Sequence, residues 1–89
     1  MSKYSIITTK KAHKELLQLP KRDRHRIERA IDQLKEEPYA GKHMHGNRKG
    51  MFSLRVWPYR VIYTIRHEII TVTIISIGHR KDIYKKIAR

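Results

Sequence analysis

The stretch from Ser53 to Ile65, SLRVWPYRVIYTI, constrains the fold more than any other part of this sequence. Its β-branched and aromatic residues lie on both sides of the dipeptide Trp57-Pro58, which predicts two strands joined by a turn. A symmetric loop would place three pairs directly opposite each other: Val56 and Tyr59, Arg55 and Arg60, and Leu54 and Val61. Because Pro58 cannot take the positive φ of a tight primed turn, we expect a four-residue loop rather than a two-residue one.

Alternation of side chains along the strands divides this hairpin into two faces. The apolar face carries Phe52, Leu54, Val56, Tyr59, Val61, Tyr63 and Ile65. The other face carries Ser53, Arg55, Arg60, Ile62 and Thr64. Directly opposed Arg55 and Arg60 repel each other, at a cost of about 0.2–1 kcal/mol relative to neutral pairs. Since this pair does not stabilise the fold, it predicts a site that holds a phosphate.

The charge balance indicates a polyanionic partner, or an acidic protein that covers the basic surface. Lysine and arginine number 21 against 8 acidic residues, a net charge of +13. A hydrophobic content of 39% with regular patterning predicts a folded chain, and residues 1–89 are expected to form one domain.

The absence of cysteine excludes disulfides and thiolate zinc sites. No signal peptide or membrane-spanning stretch is apparent, so we expect a cytoplasmic protein that does not bind a membrane.

The remaining segments predict an α+β fold in which two N-terminal helices pack on one face of a small antiparallel sheet, in the order β-α-α-β-β-β with a short C-terminal helix or tail. A first strand is expected at 4–8. A helix capped by Thr8 or Thr9 follows, with Ala12, Leu16 and Leu17 as apolar positions and Pro20 at its end.

The second helix is marked by Ile27, Ala30, Ile31 and Leu34, at the spacing of one helical face. The glycine-rich segment 39–50 is predicted to be a basic loop. The apolar run 69–77 predicts a buried strand that Gly78 ends. Ile83 and Ile87 then fit one or two helical turns, and the Arg55/Arg60 face of the sheet is expected to remain open.

Two motifs in this order, LRVWPYRVIY and GHRKDIY, carry a resemblance to the RelE/ParE superfamily of type II toxin–antitoxin toxins, on the RelE side. The likeness covers nearly the whole chain. It implies an endoribonuclease that enters the ribosomal A site and cleaves the exposed mRNA codon. It also implies a cognate, RelB-like antitoxin that holds the toxin silent; without that partner we expect a monomer.

Position by position, the resemblance assigns the family's basic hairpin residues to Arg55 and Arg60, its later arginine to Arg80 and its C-terminal aromatic to Tyr84. Many RelE toxins have a lysine where this sequence has Ser53. The residues expected to contact mRNA or ribosomal RNA are Ser53, Lys42, Arg48, Lys49, Lys81, Arg26 and Arg29.

Metal-free RNA cleavage needs a base for the 2′-hydroxyl proton, cations around the phosphorane and an acid for the leaving 5′-oxygen. Guanidinium groups suit the cation task because their donors match phosphate oxygens. Tyr84 is a candidate base or a stacking platform, and His79 is a candidate acid. The scattered carboxylates do not predict a Mg²⁺ site, and neither a metal nor a cofactor is expected.

Several alternatives remain open. Tyr84 can be a tail-packing aromatic, His79 a structural histidine, and Trp57 either an RNA-stacking or an ordinary turn residue. His43 and His45 lack the acidic or thiol partners of a metal site. At the level of function, the alternatives are a ParE-like inhibitor of DNA gyrase and a non-catalytic protein that binds RNA or the ribosome.

Overall fold

The computed structural model describes residues 3–87 and contains, in chain order, a first strand, two helices, four further strands and a short third helix. The strands are β1 Ser5–Thr8, β2 Lys42–His43, β3 Met51–Val56, β4 Tyr59–Arg66 and β5 Thr71–His79. The helices are α1 Lys10–Leu17, α2 Lys21–Gln33 and α3 Ile83–Ile87. Short 3₁₀ turns cover Pro38–Ala40, Gly46–Arg48 and His67–Ile69. No helix within residues 3–87 is long and apolar enough to cross a bilayer.

The sheet has five strands in the order β1-β5-β4-β3-β2. β1 runs parallel to β5, whereas the other neighbouring strands are antiparallel. The α+β fold class predicted from the sequence is confirmed, with the difference that the sheet is mixed. β2 lies within the segment predicted to be loop; its two residues pair with β3 although they show no strand pattern of their own.

The hairpin register is the predicted one. Arg55 pairs with Arg60, and Val56 pairs with Tyr59. The expected four-residue loop is wrong, because only Trp57 and Pro58 separate the paired residues. The Trp57–Pro58 peptide bond is cis. A cis proline at the third position of a turn gives the type VI geometry, which closes a tight turn without positive φ.

The core lies between the two N-terminal helices and the predicted apolar face of the sheet. Thr9 caps α1 by accepting a hydrogen bond from the Ala12 amide. Of the three apolar positions predicted for this helix, Ala12 and Leu16 are buried, whereas Leu17 is 52% exposed. The residues that form the rest of the buried cluster are Ile27, Ile31, Leu34, Val56, Val61, Tyr63, Val72, Ile74 and Ile77.

Both predicted ends of β5 are wrong. The strand begins at Thr71 instead of residue 69, because His67–Ile69 form a 3₁₀ turn and Ile70 has a left-handed φ of 49°. Gly78 does not end the strand but lies inside it, paired with Arg60. A Cβ at Gly78 would lie 3.3 Å from Ile83 Cδ1, so the missing side chain lets α3 pack closely on the strand.

The Arg55/Arg60 face of the sheet was predicted to be open, but in the structure part of it is covered. Ile62 and Ser76 on that face are fully buried, and Ile83 of α3 is buried with them. Glu15 of α1 holds the uncovered edge of β5 by accepting from the Ile77 amide at 2.9 Å and from Ser76 Oγ at 3.0 Å. Its second oxygen lies 3.5 Å from Lys86 Nζ. α3 therefore covers one end of this face and leaves the arginine end accessible.

Candidate functional site

A cavity of about 260 Å³ lies where the β2–β3 connection, the hairpin and α3 meet. Five residues that carry charge or a hydroxyl line it, and we call this set the basic pocket: Lys42, Arg48, Ser53, Arg60 and Tyr84. Residues 43–45 complete the lining, and no carboxylate takes part. A cavity that exposes three cations and no anion is suited to hold a phosphate group.

Arg60 is positioned by its strand and by Ser53. Arg60 Nη1 donates to Ser53 Oγ at 3.3 Å across the hairpin, and Ser53 is 4% exposed. This contact uses one of the five N–H donors of the guanidinium. The hydrogen bond fixes the direction of the fork while other donors remain for an anion.

Tyr84 is brought to the basic pocket by Arg48. Arg48 Nη2 donates to the Tyr84 carbonyl oxygen at 3.3 Å, and the Arg48 guanidinium carbon lies 5.4 Å from the Tyr84 ring centroid. Within residues 3–87, buried Arg48 Nε has no hydrogen-bond partner. The β2–β3 connection therefore holds the first turn of α3, and with it the tyrosine, beside Arg60.

Trp57 gathers two further arginines at the tip of the hairpin. The guanidinium carbons of Arg55 and Arg80 lie 5.1 Å and 4.6 Å from its ring centroid, within cation–π range. The Arg80 amide also donates to the Pro58 carbonyl oxygen at 2.8 Å. We call Trp57, Arg55 and Arg80 the tryptophan cluster. Sequence reasoning missed this role for Trp57, although its position beside Arg55 in a tight turn was a usable signal.

The basic pocket and the tryptophan cluster adjoin on one face of the sheet. Arg60 pairs with Arg55 on one side and with Gly78 on the other, so it lies in the middle of the row that ends near Arg80. The structure thus places Arg55, Arg60, Arg80 and Tyr84 near each other on this face. That they form one catalytic site stays a prediction. Several guanidinium groups on one patch repel each other unless an anion is bound.

His79 is not at this site. It pairs with Tyr59, and directly paired residues point to the same face, which here is the helix-covered one. The two rings lie 6.1 Å apart, and His79 Nδ1 accepts from the Lys81 amide. The expectation that His79 acts as the acid is therefore corrected. The histidines at the basic pocket are His43 and His45, which the sequence analysis weighed only as metal ligands.

Tyr59 lies on the same face as His79 and connects it to α2. Its hydroxyl donates to Asp23 Oδ2 at 2.7 Å, and this bond to a carboxylate raises the pKa of Tyr59. Burial likewise raises the pKa of Tyr63. Both tyrosines are held protonated within the helix–sheet interface, as expected for core residues.

The other residues predicted to bind RNA are spread over the surface. Lys42 and Arg48 line the basic pocket, whereas Lys49 and Lys81 are exposed outside it. Arg26 bonds the Trp57 carbonyl oxygen at 2.6 Å and pairs with Asp23, so it ties α2 to the hairpin tip. Arg29 lies on an open groove along α2. Within residues 3–87, no three His, Asp or Glu side chains are grouped as metal ligands.

The comparisons with known proteins agree with this architecture. The family model described as ParE toxin of type II toxin-antitoxin system, parDE, matches residues 6–84. Toxin RelG of Mycobacterium tuberculosis is 36% identical over 85 residues, which span 93% of this chain and 98% of that protein.

The chain belongs to the RelE/ParE superfamily of type II toxin–antitoxin toxins. Two solved structures extend the likeness to the fold. The toxin–antitoxin complex RelBE2 from M. tuberculosis superposes with a TM-score of 0.80 at 35% identity, covering 88% of this chain and 99% of that chain. The archaeal RelE–RelB complex from Pyrococcus horikoshii OT3 gives 0.75 at 26% identity, covering 88% and 96%. The resemblance seen in the sequence is confirmed.

Proposed function

We propose that this toxin is a metal-independent endoribonuclease that cleaves mRNA in the ribosomal A site and so stops translation. The observation that supports this most is the position of Arg60, fixed by Ser53 and facing Tyr84 across a pocket lined by cations. A gyrase inhibitor or a simple RNA-binding protein does not need a proton-carrying side chain beside the phosphate contact.

In the proposed reaction, the substrate's 2′-oxygen attacks the adjacent phosphorus as its proton passes to a base. The bond between phosphorus and the 5′-oxygen then breaks, and an acid protonates the leaving 5′-oxygen, so that the products are a 2′,3′-cyclic phosphate and a free 5′-hydroxyl. Arg60 contacts the non-bridging oxygens, where charge grows in the transition state. Arg55 and Arg80 bind the flanking backbone from the tryptophan cluster.

Tyr84 is the hydroxyl-bearing group proposed to receive or return a proton at the basic pocket, and His43 and His45 replace His79 as the imidazole candidates. The ribosome supplies the remaining requirement, because it holds the mRNA in a bent conformation that aligns the 2′-oxygen with the phosphorus. Free RNA is therefore expected to be a poor substrate.

The partner that controls this activity is proposed to be a RelB-like antitoxin. The RelBE2 and P. horikoshii complexes are structures of related toxins bound to such antitoxins. A net charge of +13 suits a partner that is acidic or that carries an amphipathic helix. Co-expression with the adjacent small gene product should restore growth, and failure to co-purify any partner would contradict this part of the proposal.

The experiment that tests the nuclease proposal is primer extension on mRNA from a purified translation mixture. Wild-type protein should cut inside codons at the A site, and Arg60→Ala should lower the cleavage rate by about 100-fold or more, as for loss of one transition-state donor. Arg66→Ala is the matched control, since Arg66 lies at the far end of the same strand and pairs with Glu68. Equal cleavage by Arg60→Ala would remove Arg60 from the site.

The alternative of a ParE-like gyrase inhibitor is kept because the matching family model carries the ParE name. The same mixture discriminates between the two. Intact mRNA together with normal translation, and broken DNA in cells that express the protein, would favour gyrase inhibition over RNA cleavage.

A further inference from the structure

Lys42 has a more specific position than a general RNA-binding lysine. It pairs directly with Ser53 across β2 and β3. Directly opposed residues of antiparallel strands point to the same face, with Cβ atoms about 4.5–5.5 Å apart. Lys42 therefore lies beside Ser53 on the face that carries Arg60, and all three line the basic pocket.

Ser53 gives the basic pocket no positive charge at its position on β3. Its hydroxyl accepts from Arg60 and its side chain is almost completely buried, so it brings no cation to the phosphate. The neighbouring strand does bring one. Among the ion pairs found within residues 3–87, none uses Lys42, and its side chain is exposed. The Lys42 ammonium group is thus available to a ligand beside Arg60.

The backbone of Lys42 is fixed by the core. The Gly41 amide donates to the buried Tyr63 hydroxyl at 2.9 Å, and that hydroxyl donates to the Pro38 carbonyl oxygen at 2.8 Å. A Cβ at Gly41 would lie 2.6 Å from the same hydroxyl. Only glycine fits there, so the chain passes tightly over Tyr63 and enters β2 at a defined place. A precise backbone position distinguishes Lys42 from the lysines that contribute only to overall charge.

We propose that Lys42 is a catalytic cation of this toxin: its ammonium group contacts the scissile phosphate from β2, in the place where β3 presents Ser53. The inference rests on the proposed RNA cleavage and assigns a residue within the same site. It gives Lys42 a role in the transition state, whereas a lysine that only holds the ribosome would act on binding alone.

The test is single-turnover cleavage of A-site mRNA over a range of ribosome concentrations. Lys42→Ala should lower the rate at saturating ribosomes by about 100-fold, with little change in the half-saturating concentration. Lys42→Arg should keep most of the rate, because a guanidinium also contacts phosphate. The double variant Lys42→Ala/Ser53→Lys moves the amine to the opposite strand and should regain much of the loss. Lys14→Ala, on the exposed side of α1, is the control for loss of one charge.

Each result bears on the assignment. A Lys42→Ala protein that cleaves at the wild-type saturating rate, or that changes only the half-saturating concentration, overturns it while Arg60→Ala still tests the nuclease proposal. The assignment is also overturned if Lys42→Ala is slow and both Lys42→Arg and Lys42→Ala/Ser53→Lys are equally slow. In that case Lys42 would not act through its positive charge. If wild-type protein does not cleave at all, the proposed function and this inference fall together. Thermal melts of every variant establish that the fold is intact.

Discussion

Trp57 is the single residue whose role the structure changes most. From the sequence it was either an RNA-stacking platform or an ordinary turn residue, and its ring instead serves two arginines. The residue remains 51% exposed. Arg55 lies in β3, whereas Arg80 directly follows β5 and is far from Arg55 in sequence. Their meeting on one ring therefore depends on the tight turn and on the length of β5. Neither could be read from the hairpin motif.

We expect Trp57→Ala to release both guanidinium groups and to lower the cleavage rate by about tenfold, since each exposed cation–π contact is worth roughly 0.5–1 kcal/mol. Trp57→Phe keeps an aromatic face and should retain most of the activity. Cleavage at the ribosomal A site gives the measurement, and thermal unfolding should change little for a side chain at an exposed turn. Wild-type cleavage by Trp57→Ala would show that the cluster does not organise the arginines.

The hairpin and α2 could be predicted from the sequence, because the local pattern of apolar residues agrees with the way these elements pair and pack in the fold. The hairpin register followed from alternation about Trp57-Pro58, and α2 followed from the spacing of Ile27, Ile31 and Leu34. The turn length was wrongly predicted because the restriction on Pro58 excludes primed turns but not a type VI turn, which contains a cis proline. β2 was missed since its pairing depends on the tertiary contact between Gly41 and Tyr63.

α3 was predicted from the spacing of Ile83 and Ile87, and the structure has a helix at Ile83–Ile87. Its short sequence forms a helix only because the sheet offers a surface at Gly78 and an anchor at Glu15. Sequence analysis therefore identified Tyr84 but not the pocket beside it, and it left open a face that the helix partly covers. What the sequence did not predict is where this short helix packs, because its position on the sheet depends on Gly78 and Glu15.

Glu15 connects α1, the edge of β5 and α3, and its loss should loosen all three. Glu15→Ala removes acceptors from the Ile77 amide and Ser76 and the partner of Lys86. We expect a destabilisation of about 1–3 kcal/mol, the range for leaving largely buried donors unsatisfied. Chemical denaturation measures the change, and faster amide exchange in α3 would locate it. Glu28→Ala, on the exposed surface of α2, should be nearly neutral; equal losses from both variants would contradict the specific role of Glu15.

At the scale of the whole molecule, charge sets how the protein meets its target. Cations lie on α2, on the β2–β3 connection and around the tryptophan cluster, with a net charge of +13. Such a distribution speeds encounter with a polyanion and makes binding sensitive to salt. The large groove along α2 and the basic pocket are different parts of this surface. Glu28 and Asp32 line the groove together with its arginines, whereas no carboxylate lines the basic pocket.

Under the proposed function, binding to the ribosome should therefore weaken linearly in a plot of log affinity against log salt concentration. Each phosphate contact contributes a slope of about −0.7 to −0.9, so Arg29→Ala should make the slope shallower by that amount. Binding measured between about 50 and 200 mM salt covers the useful range. An unchanged slope for Arg29→Ala would show that the α2 surface does not contact RNA phosphates.

The parallel pairing of β1 with β5 also bears on when the proposed site is completed during synthesis. β1 leads the described chain, whereas β5 and α3 follow every other element in chain order. During synthesis, β1 cannot pair until residues 71–79 of β5 have been made. Arg80 and Tyr84 are made after them. The nascent chain accordingly carries Arg55 and Arg60 for some time without a finished site. Under the proposed function, the nascent chain cannot cleave mRNA until residues 71–84 have been made and have joined the sheet.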